Sequence, residues 1–181
     1  MRWFNSANGL IVTIYMKKIL FFFIALAATA CSALKPTTCT VQPTFFKYRY
    51  VYIMPTGTVT GSTGVHTSLD RSYVSGGVTK TTNPADMMSG YLMQKGFTII
   101  PQLDQSKLSE TLVVSYGETG HRSVGFLWLF DATSIILQFR DAQTNDLIAS
   151  AESEDYGSTE ADNIRYAIRN ALDAIFEQPR Y

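Results

Sequence analysis

The sequence contains few of the residues from which metal and redox centres are usually built. Only two cysteines and two histidines occur among its 181 residues, and they form no Cys-x-x-Cys pair and no Cys/His cluster. A structural zinc site, which takes four such ligands, is therefore not predicted, and no bound cofactor is predicted either. The two histidines, His66 and His121, lie in polar, turn-like stretches that are typical of solvated side chains.

Positive charge is also scarce and dispersed. The 15 Lys and Arg side chains equal the 15 Asp and Glu side chains in number, and no basic run occurs. We therefore predict no nucleic-acid partner, because such binding needs a basic face. The Gly/Ser/Thr-rich stretch 56–82 lacks the Gly-x-x-x-x-Gly-Lys-[Ser/Thr] pattern of a phosphate-binding loop, so nucleotide binding is not predicted.

The sequence has no apolar run long enough to cross a membrane, but a shorter one lies near its start. Lys17-Lys18 precedes a 12-residue apolar block, Ile19–Ala30, which ends in small residues at Cys31. A membrane-spanning helix needs about 20 residues. Extending the block upstream would place both lysines within the membrane, at a cost of roughly 2.5–3.5 kcal/mol each. The layout instead predicts a secretory signal that ends at residue 30, with translation starting at Met16.

Cys31 is the predicted attachment point for a lipid. The tetrapeptide that ends there, Ala28-Thr29-Ala30-Cys31, resembles a bacterial lipobox, in which the cysteine is lipidated and becomes the new N-terminus. The alternative is a small loop closed by a disulfide between Cys31 and Cys39, as an even cysteine count suggests for an exported chain. The two interpretations exclude each other. Removal of the signal leaves 12 basic and 15 acidic side chains, and this net charge of −3 disfavours electrostatic binding to anionic lipid.

The rest of the chain predicts one α+β domain, residues 45–178. Residues 31–44 hold the lipidated cysteine and a stretch rich in Thr and Pro with little to bury, which is typical of a flexible tether. Aromatic and β-branched residues alternate along Phe45–Met54, which predicts a strand. Since two helices cannot cover both faces of a broad sheet, we expect a mixed, mostly antiparallel sheet of about five or more strands with both helices on one face.

The remaining elements follow from local signals. The first helix is predicted to begin at Asn83-Pro84 and to end at Gly96. The second begins at Thr159, ends at Glu177 and carries one apolar stripe. The predicted strands or strand segments are 58–60, 78–80, Phe97–Ile100, Thr111–Tyr116, Val124–Phe130, Ser134–Arg140 and Leu147–Ser153, the last two forming a hairpin.

Two polar regions are the candidates for chemistry. The stretch Gly117–Arg122 predicts a turn that brings His121 near Glu118, so a hydrolase with its site at these residues is an alternative function. Acidic residues crowd the segment Glu152–Glu160, but no EF-hand spacing is present, so a solvated edge is predicted rather than a calcium site. We predict no catalytic residue and no metal site.

The segment Phe126–Phe130 is apolar at every position, although alternate residues of a half-buried strand should be polar. Either both of its faces are covered, or one face is left for a partner. In the second case Phe126, Trp128 and Phe130 are the candidate partner-binding residues.

The chain is similar to a family of uncharacterised small bacterial lipoproteins of the Bacteroidetes type. The resemblance is carried by the Tyr-rich first strand ending at Pro55, by Lys95-Gly96-Phe97, by the strand Leu112–Tyr116 and by the hairpin turn Asp141–Asp146. Its fold is similar to that of lipoproteins that activate peptidoglycan synthases, and it implies no catalytic residues. By resemblance to enterobacterial lipoproteins, Ser32 implies the outer membrane, with the domain facing the periplasm.

Together these observations predict a non-enzymatic, lipid-anchored module of the cell envelope. Its N-terminal lipid would hold it on the membrane, and its domain would bind an envelope protein or a glycan. Besides the hydrolase, the alternative is a structural subunit that forms a homo-oligomer through the Phe126–Phe130 edge.

Overall fold

A computed structural model describes residues 34–63, 78–124 and 130–177. The strands are β1 (Thr38–Val41), β2 (Tyr50–Ile53), β3 (Val59–Thr63), β4 (Val78–Thr82), β5 (Thr98–Ile99), β6 (Thr111–Val124), β7 (Phe130–Asp141) and β8 (Leu147–Tyr156). The α-helices are α1 (Pro84–Gln94) and α2 (Glu160–Phe176), and short 3₁₀ helices cover Pro43–Lys47 and Gln105–Glu110. No helix within these ranges has both the length and the apolar character needed to cross a membrane.

Six strands form one mixed sheet in the order β1-β8-β7-β6-β2-β5, which confirms the predicted α+β class. The first four in this order are antiparallel, whereas β2 runs parallel to both β6 and β5. Both helices contact the sheet and also each other, so they lie on the same face. β3 and β4 form a separate two-stranded antiparallel ribbon.

The core lies between that face and the helices. Alternate residues of β7, Ile135, Leu137 and Phe139, are fully buried there. From α2 the predicted stripe contributes Ile164, Ile168, Ala171, Leu172 and Ile175, all buried. The two-residue period of a strand and the 3.6-residue period of a helix thus place their apolar residues on facing surfaces.

The predicted strand Phe45–Met54 is wrong in its first half. Residues Pro43–Lys47 form a 3₁₀ helix, and only Tyr50–Ile53 are paired as β2. The reason is Phe45, which is fully buried and whose ring contacts four other phenylalanine rings. The alternating aromatic residues therefore comprise one phenylalanine buried in the core, Phe45, followed by the short strand β2.

The predicted flexible tether over residues 31–44 is also wrong where the chain is described. Thr38–Val41 form the edge strand β1, paired with β8 from Thr38 opposite Glu152 to Val41 opposite Ala149. The Cys39 thiol donates a hydrogen bond to the Ala174 carbonyl of α2 at 3.3 Å. A Thr/Val-rich segment has little to bury alone, but it gains a ladder of backbone hydrogen bonds at a sheet edge. The folded domain consequently begins before residue 45.

The predicted turn Gly117–Arg122 lies inside the long strand β6. Pairing with β7 continues from Leu112 opposite Asp141 to Val124 opposite Phe130, with one bulge between Glu118 and Gly120. Polar residues occur here because this end of β6 lies at the margin of the core, where Glu118 and His121 are partly exposed beside the start of α2 and Arg122 pairs with Glu154 on the opposite face.

Candidate functional site

A cleft lies where β6 ends, β7 begins and α2 starts. Antiparallel pairing brings these ends together, with Val124 opposite Phe130 and Ala132 opposite Tyr156. The cleft measures about 770 Å³. Its lining comprises His121, Phe130, Asp131, Thr133, Gly157, Ser158, Thr159, Glu160 and Asn163.

Asn163 fixes the start of α2 to β7 and so shapes one wall of the cleft. Its side-chain amide donates to the Asp131 carbonyl at 2.6 Å and to the Thr133 hydroxyl at 3.4 Å, and its amide oxygen accepts from the Gly157 N–H. At Gly157 the chain passes so close to the helix that an added Cβ would lie 2.5 Å from the Asp162 Cβ. This wall is therefore formed before any ligand arrives.

Asp162 joins the β3–β4 ribbon to the same helix start. Its carboxylate is almost fully buried and accepts from the Lys80 ammonium at 2.7 Å and from the Ser158 hydroxyl at 2.6 Å. These bonds, led by that from Lys80, hold the pKa of Asp162 below its ordinary value. Thr159 caps the helix by accepting from the Asp162 N–H at 3.1 Å, as its sequence position predicted.

His121 and Glu118 meet at the rim of the cleft, on the helix-covered side of the sheet. In the β6–β7 register Glu118 lies opposite the buried Ile135, and His121 lies opposite Thr133. The His121 Nε2 is 3.5 Å from a Glu118 carboxylate oxygen, and its Nδ1 is 3.2 Å from the Thr133 hydroxyl. Glu160, in the first turn of α2, completes a group of three donors whose nearest ligand atoms all lie within 4.8 Å of one another.

The spatial arrangement of Glu118, His121 and Thr133 resembles that of a hydrolase, in which an acid orients a base and the base activates a nucleophile. However, Thr133 is fully buried, and its hydroxyl also contacts the Asn163 amide. A nucleophile must reach the substrate carbon, so this hydroxyl is better suited to orienting the imidazole. The hydrolase alternative therefore lacks an accessible nucleophile at these three residues, although the separation of His121 and Glu118 is compatible with it.

On the other face of the sheet, Glu154 is a buried carboxylate with four hydrogen bonds. The Arg122 guanidinium binds it in bidentate fashion, with Nε 2.7 Å from one oxygen and a terminal nitrogen on the other. Ser134 donates its hydroxyl at 3.0 Å, and the backbone N–H of Lys35 donates at 2.9 Å. These bonds, the one from Arg122 foremost, lower the pKa of Glu154 to about 2 despite its burial.

This depressed pKa predicts a loss of stability in acid. The folded protein holds Glu154 ionised down to about pH 2, whereas an unfolded chain binds the proton at an ordinary pKa near 4.3. The unfolded state therefore binds more protons between these values, so the free energy of unfolding should fall as the pH drops through this window, by about 2 kcal/mol. Urea denaturation at pH 5 and pH 2.5 measures the change. A Glu154→Gln variant should lose less stability over the same interval, and an equal loss would contradict the assignment.

The predicted site residues fare differently. Cys31, Phe126 and Trp128 lie outside the described residues. Phe130 is 46% exposed, and its ring packs on that of Tyr156, which is 42% exposed, with centroids 5.2 Å apart. An exposed aromatic pair therefore marks this end of the sheet, and its role in binding a partner stays a prediction.

The acidic segment Glu152–Glu160 does not form one cluster. Glu152 is exposed, Glu154 is buried against Arg122, and Glu160 lies beside His121. Glu152 and Glu154 lie two residues apart on one face of β8, and only Glu154 is covered by the Arg122 side chain, whereas Glu160 follows the turn into α2. The sequence therefore could not distinguish a buried ion pair from a solvated edge.

Comparison with known proteins gives little further information. No protein-family model and no curated protein sequence matches the chain. Similar solved structures include two of the PelC dodecamer from Paraburkholderia phytofirmans. A variant of PelC in space group C2 is 12% identical with a TM-score of 0.47, and covers 76% of this chain and 96% of that chain. The other, in space group P6, is 12% identical with a TM-score of 0.40, and covers 76% of this chain and 94% of that chain.

Proposed function

We propose that this protein is a non-enzymatic, lipid-anchored module of the cell envelope. Cys31 carries the lipid, the outer membrane holds it, and the domain faces the periplasm. The observation that carries the proposal is the residue pattern near the start of the chain, in which Lys17-Lys18 precedes the apolar block Ile19–Ala30 and Cys31 follows it. Two or more acyl chains give stable anchoring where a single chain does not.

The start of the folded domain adds a geometric consequence. The N–H of Lys35 is already bonded to Glu154, and Lys35 lies only four residues after Cys31. Four extended residues span about 13–14 Å. The lipid would therefore hold the domain close to the membrane surface, because the chain is already bonded to the domain at Lys35 and is paired as β1 from Thr38.

The end of the domain that lies nearest the proposed lipid also carries the cleft. Lys35 lies beside the last residues of β8, and the cleft begins just beyond that strand, at Gly157. Backbone and side-chain donors and acceptors line it, together with the exposed aromatic ring of Phe130. A preformed polar cleft with one aromatic wall suits a hydroxyl-rich ligand, which favours a glycan among the envelope partners.

Replacing Cys31 with alanine tests the anchor. The Cys31→Ala protein should move almost completely from the membrane fraction to the soluble fraction, because the lipid is the only strong attachment proposed. Fractionation followed by immunoblotting measures the distribution, and intact mass of the wild-type protein should show acyl groups on a chain that begins at residue 31.

Cys39→Ala is the matched control, since Cys39 is the other cysteine of the sequence and lies in strand β1 of the domain. It should leave the protein in the membrane fraction. Membrane retention of Cys31→Ala, or release of Cys39→Ala, would contradict the proposal.

A further inference from the structure

We propose that Glu118, His121 and Glu160 bind a divalent transition-metal ion such as Zn²⁺ at the rim of the cleft. Each residue offers one ligand atom, and these atoms lie within 4.8 Å of one another. The three residues come from two elements, the far end of β6 and the first turn of α2, which meet only in the folded protein. The proposal does not depend on lipid attachment.

The separations suit a metal of this size. Zinc binds imidazole nitrogen and carboxylate oxygen at about 2.0–2.2 Å, so two ligands of a tetrahedral site lie about 3.4 Å apart. The His121 Nε2 and the Glu118 oxygen already lie 3.5 Å apart. The Glu160 ligand atom lies within 4.8 Å of the other two, and because its side chain is exposed, a rotation would bring it to the ion.

Two further residues orient the donors. The Thr133 hydroxyl contacts Nδ1 of His121, which leaves Nε2, the nitrogen that faces Glu118, for the metal. The Tyr116 hydroxyl donates to Oε1 of Glu118 at 2.9 Å, whereas Oε2 is the oxygen nearest His121. Outer partners of this kind are a regular feature of metal sites, where they fix the tautomer of the histidine and the direction of the carboxylate.

The local charges favour a cation. Two carboxylates face one imidazole at this rim, while the nearby cations Lys80 and Arg165 pair with Asp162. A divalent ion would balance the two carboxylates. Three protein ligands leave a coordination position open, and the adjoining cleft gives an oxygen of a small ligand access to it.

Calorimetric titration with ZnCl₂ tests the site on the untagged full-length protein in detergent at pH 7. We expect one saturable zinc per chain. His121→Ala and Glu160→Gln should each weaken binding at least about tenfold, and Tyr116→Phe by a factor of about 10, the lower end of the effect of losing an outer partner. Circular dichroism of each variant checks that it is folded.

Two matched controls separate this site from adventitious binding. His66→Ala removes the other histidine of the sequence, and Glu152→Gln removes an exposed acid of β8. Both should bind zinc like the wild type. Absence of saturable binding, equal binding by all variants, or a loss caused by His66→Ala but not by His121→Ala would overturn the proposal.

Discussion

Replacing Arg122 with alanine should lower the free energy of unfolding by about 3–5 kcal/mol. The substitution removes both bidentate hydrogen bonds to Glu154, whose side chain is 1% exposed. Ser134 and the backbone of Lys35 would remain as its partners. A carboxylate held in that position without its counter-ion pays a desolvation cost that two neutral donors do not offset.

Urea denaturation followed by circular dichroism measures this change at pH 7. Arg49→Ala is the matched control, because Arg49 is 79% exposed and lies 3.9 Å from Glu110. A surface ion pair of this kind contributes at most about 1 kcal/mol. Similar stability losses for the two variants would show that the Arg122–Glu154 pair is not the buried interaction described above.

Replacing Phe45 with alanine should also cost about 3–5 kcal/mol. The ring is fully buried, with centroids 5.4 Å from that of Phe139 and 5.6 Å from that of Phe176. Its removal leaves a cavity between the sheet and α2 that the 3₁₀ segment cannot easily fill, because Tyr48 is held by a 2.6 Å hydrogen bond to Asp141. The same denaturation measurement gives the size of the loss.

The neighbouring Phe46 provides the control for that substitution. Phe46 is 40% exposed and has the same side chain on the adjacent residue. Phe46→Ala should cost about 1–2 kcal/mol, since less apolar surface returns to water. The opposite order of the two effects would contradict the burial of Phe45 rather than Phe46 in the core.

The helices were predictable because their signals are local. Asn83 accepts a hydrogen bond from the Ala85 N–H at 3.0 Å, and Gly96 takes a φ of 94°, as its place after the helix predicted. Thr159 caps the second helix in the same way. Each signal lies within four residues of the group it satisfies, so no knowledge of the rest of the chain is needed.

The polar sites were not predictable for the opposite reason. Arg122 and Glu154 are 32 residues apart, and their pairing depends on the order of β6, β7 and β8 in the sheet. Glu160 joins His121 only because α2 begins where β8 ends, at the same end of the sheet as the last residues of β6. The sequence analysis interpreted the polar stretch Gly117–Arg122 as a turn. A bulged strand at the margin of the core has the same polar composition, so the two cannot be told apart from the residues alone.

The sequence by itself determined the helices, the β7–β8 hairpin, the α+β class and the expectation of an exported, lipidated N-terminus. These depend on periodicity, caps and short motifs, whose physical causes act between residues close together in the chain. Tertiary structure decided that Thr38–Val41 joins the sheet, that Phe45 rather than Phe46 enters the core, and which acids are buried, paired or gathered beside His121. Each of those outcomes depends on which strand or helix lies alongside, because burial and hydrogen-bond partners come from elements distant in sequence.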